Sequence, residues 1–129
     1  MSGVANAVEG RASVIGVEPT AAPTLHRALA AGAPVDVAVS GVAADSLGAR
    51  RLGSIAWEVA GRLGVGSVLV DDDAIMAARQ ATWDRYRVVL EAGAAVPVAA
   101  LLSGAYRPAD GQRVAIVLCG ANTDPSDLV

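Results

Sequence analysis

The chain has 129 residues, is 53% hydrophobic and 18% charged, and carries a net charge of −3, with a pI near 4.9 and a mean hydropathy of +0.46. That balance excludes a disordered chain and argues against nucleic acid as a partner, Arg50-Arg51 being the basic pair that stands out. No apolar run reaches the roughly 18 residues of a membrane-spanning helix, and a single cysteine, Cys119, excludes an internal disulfide.

In chain order, Met1 to about Gly10 reads as a helix tail stopped by glycine. Ser13 to Val17, short and β-branched, reads as a buried strand that ends at Glu18-Pro19. Pro23 opens a helix through Leu29 that Gly32 closes, and Val35 to Val39 is a short candidate strand. The polar stretch Ser40 to Gly53 leads to Ser54, a candidate N-cap for a helix to Leu63 with Ile55, Val59 and Leu63 on one face. Gly64 and Gly66 precede a strand over Ser67 to Val70.

Asp71-Asp72-Asp73 begins the longest helix, to about Leu90, with Ile75, Ala78, Thr82, Tyr86 and Val89 on one face. Ala94 to Leu102 is apolar enough for a fully buried helix, and the last strand, Val114 to Leu118, runs into Cys119-Gly120-Ala121-Asn122. The tail Thr123 to Val129 is expected to be loose. Strands alternating with helices predict one α/β domain over residues 1–129, a parallel sheet flanked by helices. With Trp57, Trp83, Tyr86 and Tyr106 as its only aromatics, its core must be aliphatic.

All ten Lys and Arg positions are arginine. A genome rich in Arg codons accounts for most of them, but arginine does not form a Schiff base, so covalent lysine chemistry is closed to this chain alone. The N-terminal MSGVANAVEG has neither a charged leader nor a long apolar stretch, so no signal peptide is expected and the cytoplasm is the default.

Four segments in this order resemble the fold-type-II pyridoxal-phosphate enzymes, in their serine/threonine dehydratase and serine racemase branch. They are Val14-Ile15-Gly16-Val17-Glu18-Pro19, Ala44-Asp45-Ser46-Leu47-Gly48 before Arg50-Arg51, Glu91-Ala92-Gly93-Ala94-Ala95, and Val117-Leu118-Cys119-Gly120-Ala121-Asn122. The resemblance implies a C-terminal portion of such an enzyme's large domain. In that family the cofactor lysine lies far upstream and a tetraglycine phosphate loop lies just before the position of Met1. The expectation is therefore a truncated product or a start read too late.

The resemblance also implies roles. Cys119 would hydrogen-bond the pyridine nitrogen of pyridoxal 5'-phosphate, with Gly120 beside the cofactor, and Glu91 would approach the ring from the side. The family usually has proline at Ala92. Asp45 and Ser46 would line the substrate side, where many relatives carry glycine at Ser46; an Asp-Ser turn fits the same residues equally. Glu18 resembles the carboxylate of a cation site that also uses the carbonyl at Ala22 and a carboxylate at Thr24. Thr24 brings no charge, so no metal is expected.

Asp71-Asp72-Asp73 fits a helix cap better than a metal cluster. His26 reads as a packing or surface residue, and Arg50-Arg51 as solvated or at a subunit contact. The function implied is an ammonia-lyase that turns serine or threonine into a 2-oxo acid and ammonia, inactive as this chain alone. A serine racemase-like fragment, a non-catalytic relative and an unrelated α/β binding domain are the rivals. An apolar face is expected toward absent chain, with poor solubility or homo-oligomerisation following from it.

Overall fold

The computed structural model describes residues 1–128. Its elements are α1 (Ser2–Ala7), β1 (Ile15–Pro19), α2 (Thr24–Ala31), α3 (Ser54–Leu63), β2 (Gly66–Val70), α4 (Asp72–Tyr86) and α5 (Ala92–Leu102). β1 and β2 pair in parallel, with Ile15 opposite Gly66 and Pro19 opposite Val70. The expected α/β class holds, with a parallel sheet between helices.

Alternation along the strands assigns the layers. Val17 and Val68 pack on the α4–α5 side, in a core centred on Ile75, Leu90, Ala95 and Val96. Gly16 faces α2 so closely that a Cβ there would lie 2.5 Å from a Leu25 methyl. Glu18, on the same face as Gly16, accepts the N–H groups of Leu25 (2.7 Å) and His26 (2.8 Å), capping α2 from the strand it packs on. A second core joins Ala5 of α1, Leu25 of α2 and Val59 and Ala60 of α3.

Two expected strands do not form among the described residues. Val35 to Val39 makes one cross-chain bond, Val37 N–H to Arg50 C=O at 2.8 Å. Val114 to Leu118 is irregular, with Val117 68% and Leu118 48% exposed. Both segments have β-forming composition, but a ladder needs a neighbour that takes successive N–H and C=O groups, and among the described residues the single Val37–Arg50 bond does not build one. The two strands that do form are half-buried rather than fully buried, except at Pro19 and Val70.

Helix ends follow local chemistry with small shifts. Gly32 and Gly64 close α2 and α3 in the left-handed conformation, as expected of glycine. Gly53, not Ser54, is the N-cap of α3, and Ile55 is 74% exposed rather than on the buried face. α4 stops at Tyr86 instead of reaching Leu90, because Arg87 adopts a left-handed φ of 56°. Leaving the helix lets Val88 and Leu90 both point inward at a two-residue period, while Tyr86 turns outward, 64% exposed. α5 is buried along Ala94, Ala95, Val96, Ala99 and Ala100, but Leu102 is exposed.

The tail is not loose. Leu128 is buried, and its N–H donates to Pro125 C=O at 2.9 Å. Val129 lies outside the described residues.

Candidate functional site

The expected site residues come from three places in the chain. Asp45 and Ser46 sit on a run of turns between Gly41 and Leu47, in which Ala44, Ser46 and Leu47 donate back to Gly41 or Ala43. Glu91 is the N-cap of α5. Cys119 and Gly120 end the extended segment that leads to the tail.

Glu91 and Gly120 meet directly. The Glu91 N–H donates to Gly120 C=O at 2.9 Å. A Cβ on Gly120 would lie 2.5 Å from Glu91 Cδ and 2.8 Å from its Oε1, so the Glu91 side chain occupies the place a side chain at 120 would need. Gly120 also has a φ of +69°, which only glycine adopts without cost. Gly93 is the matching contact on the other side: a Cβ there would lie 3.2 Å from both Ser46 Cβ and Leu47 Cγ, and would overlap the Ser46 hydroxyl.

An open recess of about 560 Å³ lies at this junction, lined by Asp45, Met76, Arg79, Glu91, Asn122 and Asp124 among others. Asp45 and Glu91 both line it. The Ser46 hydroxyl instead donates to Ala43 C=O at 3.4 Å. Cys119 lies outside the recess lining, its thiol exposed, one residue before the Gly120–Glu91 contact.

Two further residues hold this junction together and were not singled out by the sequence as doing so. Arg79 is 4% exposed, with Nε donating to Leu90 C=O (2.6 Å), Nη2 to Asp124 C=O (2.9 Å) and Nη1 paired with the Asp127 carboxylate. The signal was its spacing: position 79 is four after Ile75 and three before Thr82, inside the face read as apolar. Asp72 is the other. Its Oδ2 accepts the Val42 N–H at 3.1 Å, holding the Asp45 loop, and its Oδ1 is buried without a hydrogen bond. The cap assignment holds for Asp71, which accepts from Ala74 N–H at 2.8 Å.

The cation reading fares poorly at Glu18, whose two oxygens are engaged by α2 N–H groups, while the Thr24 hydroxyl donates to Ala49 C=O at 2.5 Å. Among the described residues no group of three or more His, Cys, Asp or Glu side chains could hold a metal. His26 is half-buried, with Nδ1 3.2 Å from the Ser67 hydroxyl. Arg51 makes an exposed pair with Asp36 at 3.3 Å.

Asp124 lies in the tail segment that Arg79 holds. The Ser126 N–H (2.9 Å) and hydroxyl, then the Arg79 charge, hold its carboxyl below its ordinary value of 3.8. A carboxylate depressed in the fold adds stability that is complete above its unfolded value and is lost as pH falls through its folded value. The turn that joins the Asp124 carboxylate to Ser126 is therefore expected to weaken as pH falls below about 4, while the Arg79 contacts to Asp124 C=O and Asp127 are other bonds. Amide exchange at Ser126 followed through an acid titration checks this; Ser126 protection that persists down to the global unfolding transition would count against it.

A family model described as pyridoxal-phosphate dependent enzyme matches residues 1–120. The chain belongs to that family. It is 36% identical over 127 residues to a phenylserine dehydratase of Ralstonia pickettii, covering 96% of this chain and 39% of the relative. It is 33% identical over 127 residues to an L-threonine ammonia-lyase of Geobacter sulfurreducens, covering 96% and 31%. Among solved structures, a threonine deaminase from T.th. superposes with a TM-score of 0.75 at 31% identity, over 83% of this chain and 40% of that one.

The chain thus spans well under half the length of these relatives. No helix of the described residues is long and apolar enough to cross a membrane.

The family's cofactor is pyridoxal phosphate. Two features of the site suit it: a glycine-only cradle at Gly120 under Glu91, and an exposed thiol at Cys119 that no internal hydrogen bond claims among the described residues. Its covalent partner is a lysine, and this sequence has none.

Proposed function

We propose that this chain is the ring-contacting part of a pyridoxal-phosphate-dependent ammonia-lyase domain, one that converts a hydroxy amino acid into a 2-oxo acid and ammonia. Serine, threonine or an aryl-substituted serine is the substrate class, and the essential lysine comes from outside the chain. The observation that carries this reading is the Glu91–Gly120 contact, which joins two motifs that resemble the family's cofactor-binding segments.

The cofactor, when bound, supplies an electron sink for bonds at the amino-acid α-carbon. The chain's own residues orient it. Cys119 would offer the ring nitrogen a thiol in place of a carboxylate, a partner that would leave that nitrogen less positive and favour elimination. Glu91, fixed over Gly120, forms one edge of the ring pocket. Asp45, and Ser46 in its turn, form part of the substrate wall. The exposed, unpaired Cys119 suits a reducing cytoplasm.

Residues 1–129 form one domain unit in this reading, and self-association is expected of the exposed Val114, Val117 and Leu118. The absence of lysine favours a second reading, a relative that folds and does no chemistry.

A chimera separates the two. The matching stretch of the Ralstonia phenylserine dehydratase would be replaced by this chain, leaving the relative to supply the lysine. Release of 2-oxo acid from a hydroxy amino acid is expected, with at least about a tenfold loss in Glu91→Ala, the scale of one lost orienting contact. A folded chimera that takes up the cofactor, shows its visible absorption and releases no 2-oxo acid would sink the lyase reading. The unmodified chain with added cofactor should show no lysine-bound absorption band.

A further inference from the structure

Arg79 grips one end of a peptide group whose other end makes the site. Its Nε donates to Leu90 C=O at 2.6 Å, and the N–H of that same Leu90–Glu91 peptide donates to Gly120 C=O at 2.9 Å. A peptide unit is planar, with its C=O and N–H pointing in opposite directions, so holding the oxygen sets the direction of the N–H. The remaining guanidinium nitrogens reach Asp124 C=O and the Asp127 carboxylate, in the segment that follows Gly120. The chain of contacts therefore closes on itself: Arg79, the Leu90–Glu91 peptide, Gly120, the tail, and back to Arg79.

We propose that Arg79 is the positioning residue of this site, fixing Glu91 against Gly120 and tying both to α4. Arginine suits the task because its planar fork aims donors on three separate nitrogens at three separated acceptors, whereas a lysine ammonium presents its donors from a single atom. At 4% exposure the side chain has no water to replace a lost partner. Asp72, seven residues earlier on the same helix face, holds the Asp45 loop independently through Val42. The two contacts allow the effect of Arg79 to be told apart from a general loosening of α4.

The proposal rests on reading Glu91 and Gly120 as part of the cofactor site, but its test uses the ligand-free chain. Failure of the test and failure of the lyase reading are therefore distinct results. In Arg79→Lys, the Glu91 amide is expected to exchange roughly tenfold faster, the size of one lost hydrogen bond. Its proton resonance should also move upfield, with β1 and β2 amides unchanged. A purely stabilising role would lower the unfolding midpoint and leave the native Glu91 resonance in place, and that result would overturn the proposal.

Asp72→Ala should move amides 41–47 and spare Glu91; an equal response at Glu91 would also overturn it. If circular dichroism shows Arg79→Lys to be unfolded, Asp127→Asn decides by the same readout. Faster exchange at Glu91 and Leu128 supports the clamp, and an unchanged Glu91 refutes it.

Discussion

Ile75→Ala is expected to destabilise the chain by about 3–4 kcal/mol, within the roughly 2–5 kcal/mol range seen when a buried isoleucine is cut to alanine. Ile75 is fully buried on α4, in a core shared with Val70, Leu90, Ala95 and Val96. Much of that core is alanine, from Ala43 and Ala78 to Ala94, Ala95, Ala99 and Ala100. Alanine cannot swing a side chain into the space vacated, and the backbones that carry it already pack closely, so the cavity stays open.

Against a total of roughly 5–15 kcal/mol for a domain of this kind, the loss is a large fraction. Equilibrium urea unfolding measures it directly. Ile75→Val should cost only about 1 kcal/mol. Ile55→Ala is the control: it changes a side chain 74% exposed and should stay within about 0.5 kcal/mol of the parent. A loss under about 1 kcal/mol for Ile75→Ala would mean that the α4–α5 core is packed more loosely than its burial indicates.

Gly120→Ala is the second large effect, and it falls on the site. Holding an L-residue at a φ of +69° costs roughly 1–2 kcal/mol. The new methyl would also overlap Glu91, with Cδ at 2.5 Å and Oε1 at 2.8 Å, and overpacking of this kind costs about 1–3 kcal/mol. A combined loss of about 3 kcal/mol is expected, with Glu91 pushed out of the recess.

A double-mutant cycle divides the two parts. In a Glu91→Ala background the steric overlap disappears and only the backbone cost remains, so the two substitutions should be less than additive by about 1–2 kcal/mol. Strict additivity in urea unfolding would show that the Glu91 side chain does not occupy the space beside Gly120. In that case the contact underlying the proposed function would be gone as well.

The legible and illegible parts of the molecule divide along a physical line. Helices α2 and α3 could be read because Gly32 and Gly64 stop them by their own backbone freedom. Asp71 likewise declared its cap by residue type and position. These effects act within a few residues and leave their trace in the chain order. The extended segments at Val35 to Val39 and Val114 to Leu118 carry strand composition too, yet a strand is completed only by a neighbour distant in sequence. That information is not local, and both expectations failed.

Arg79 shows the same limit from the opposite side. Its position on the inner face of α4 was countable, but a charged residue there reads as an interruption until its three acceptors are seen. Asp72 was grouped with its neighbours as part of a cap, and only the fold turned it toward Val42. The tail, expected loose, is docked because Arg79 is satisfied by it and its own Leu128 is buried.

By itself, the sequence determined the family, through four short motifs in order, and the limit on its chemistry, through the absence of any lysine. Both depend on residue identity, which needs no fold to be read. The tertiary structure alone decided that Glu91 lies over Gly120, that Gly93 receives Ser46, and that a buried arginine orients the peptide joining them. Those are contacts between segments far apart in the chain, and only the closing of the core around Ile75 and Leu90 brings them within reach.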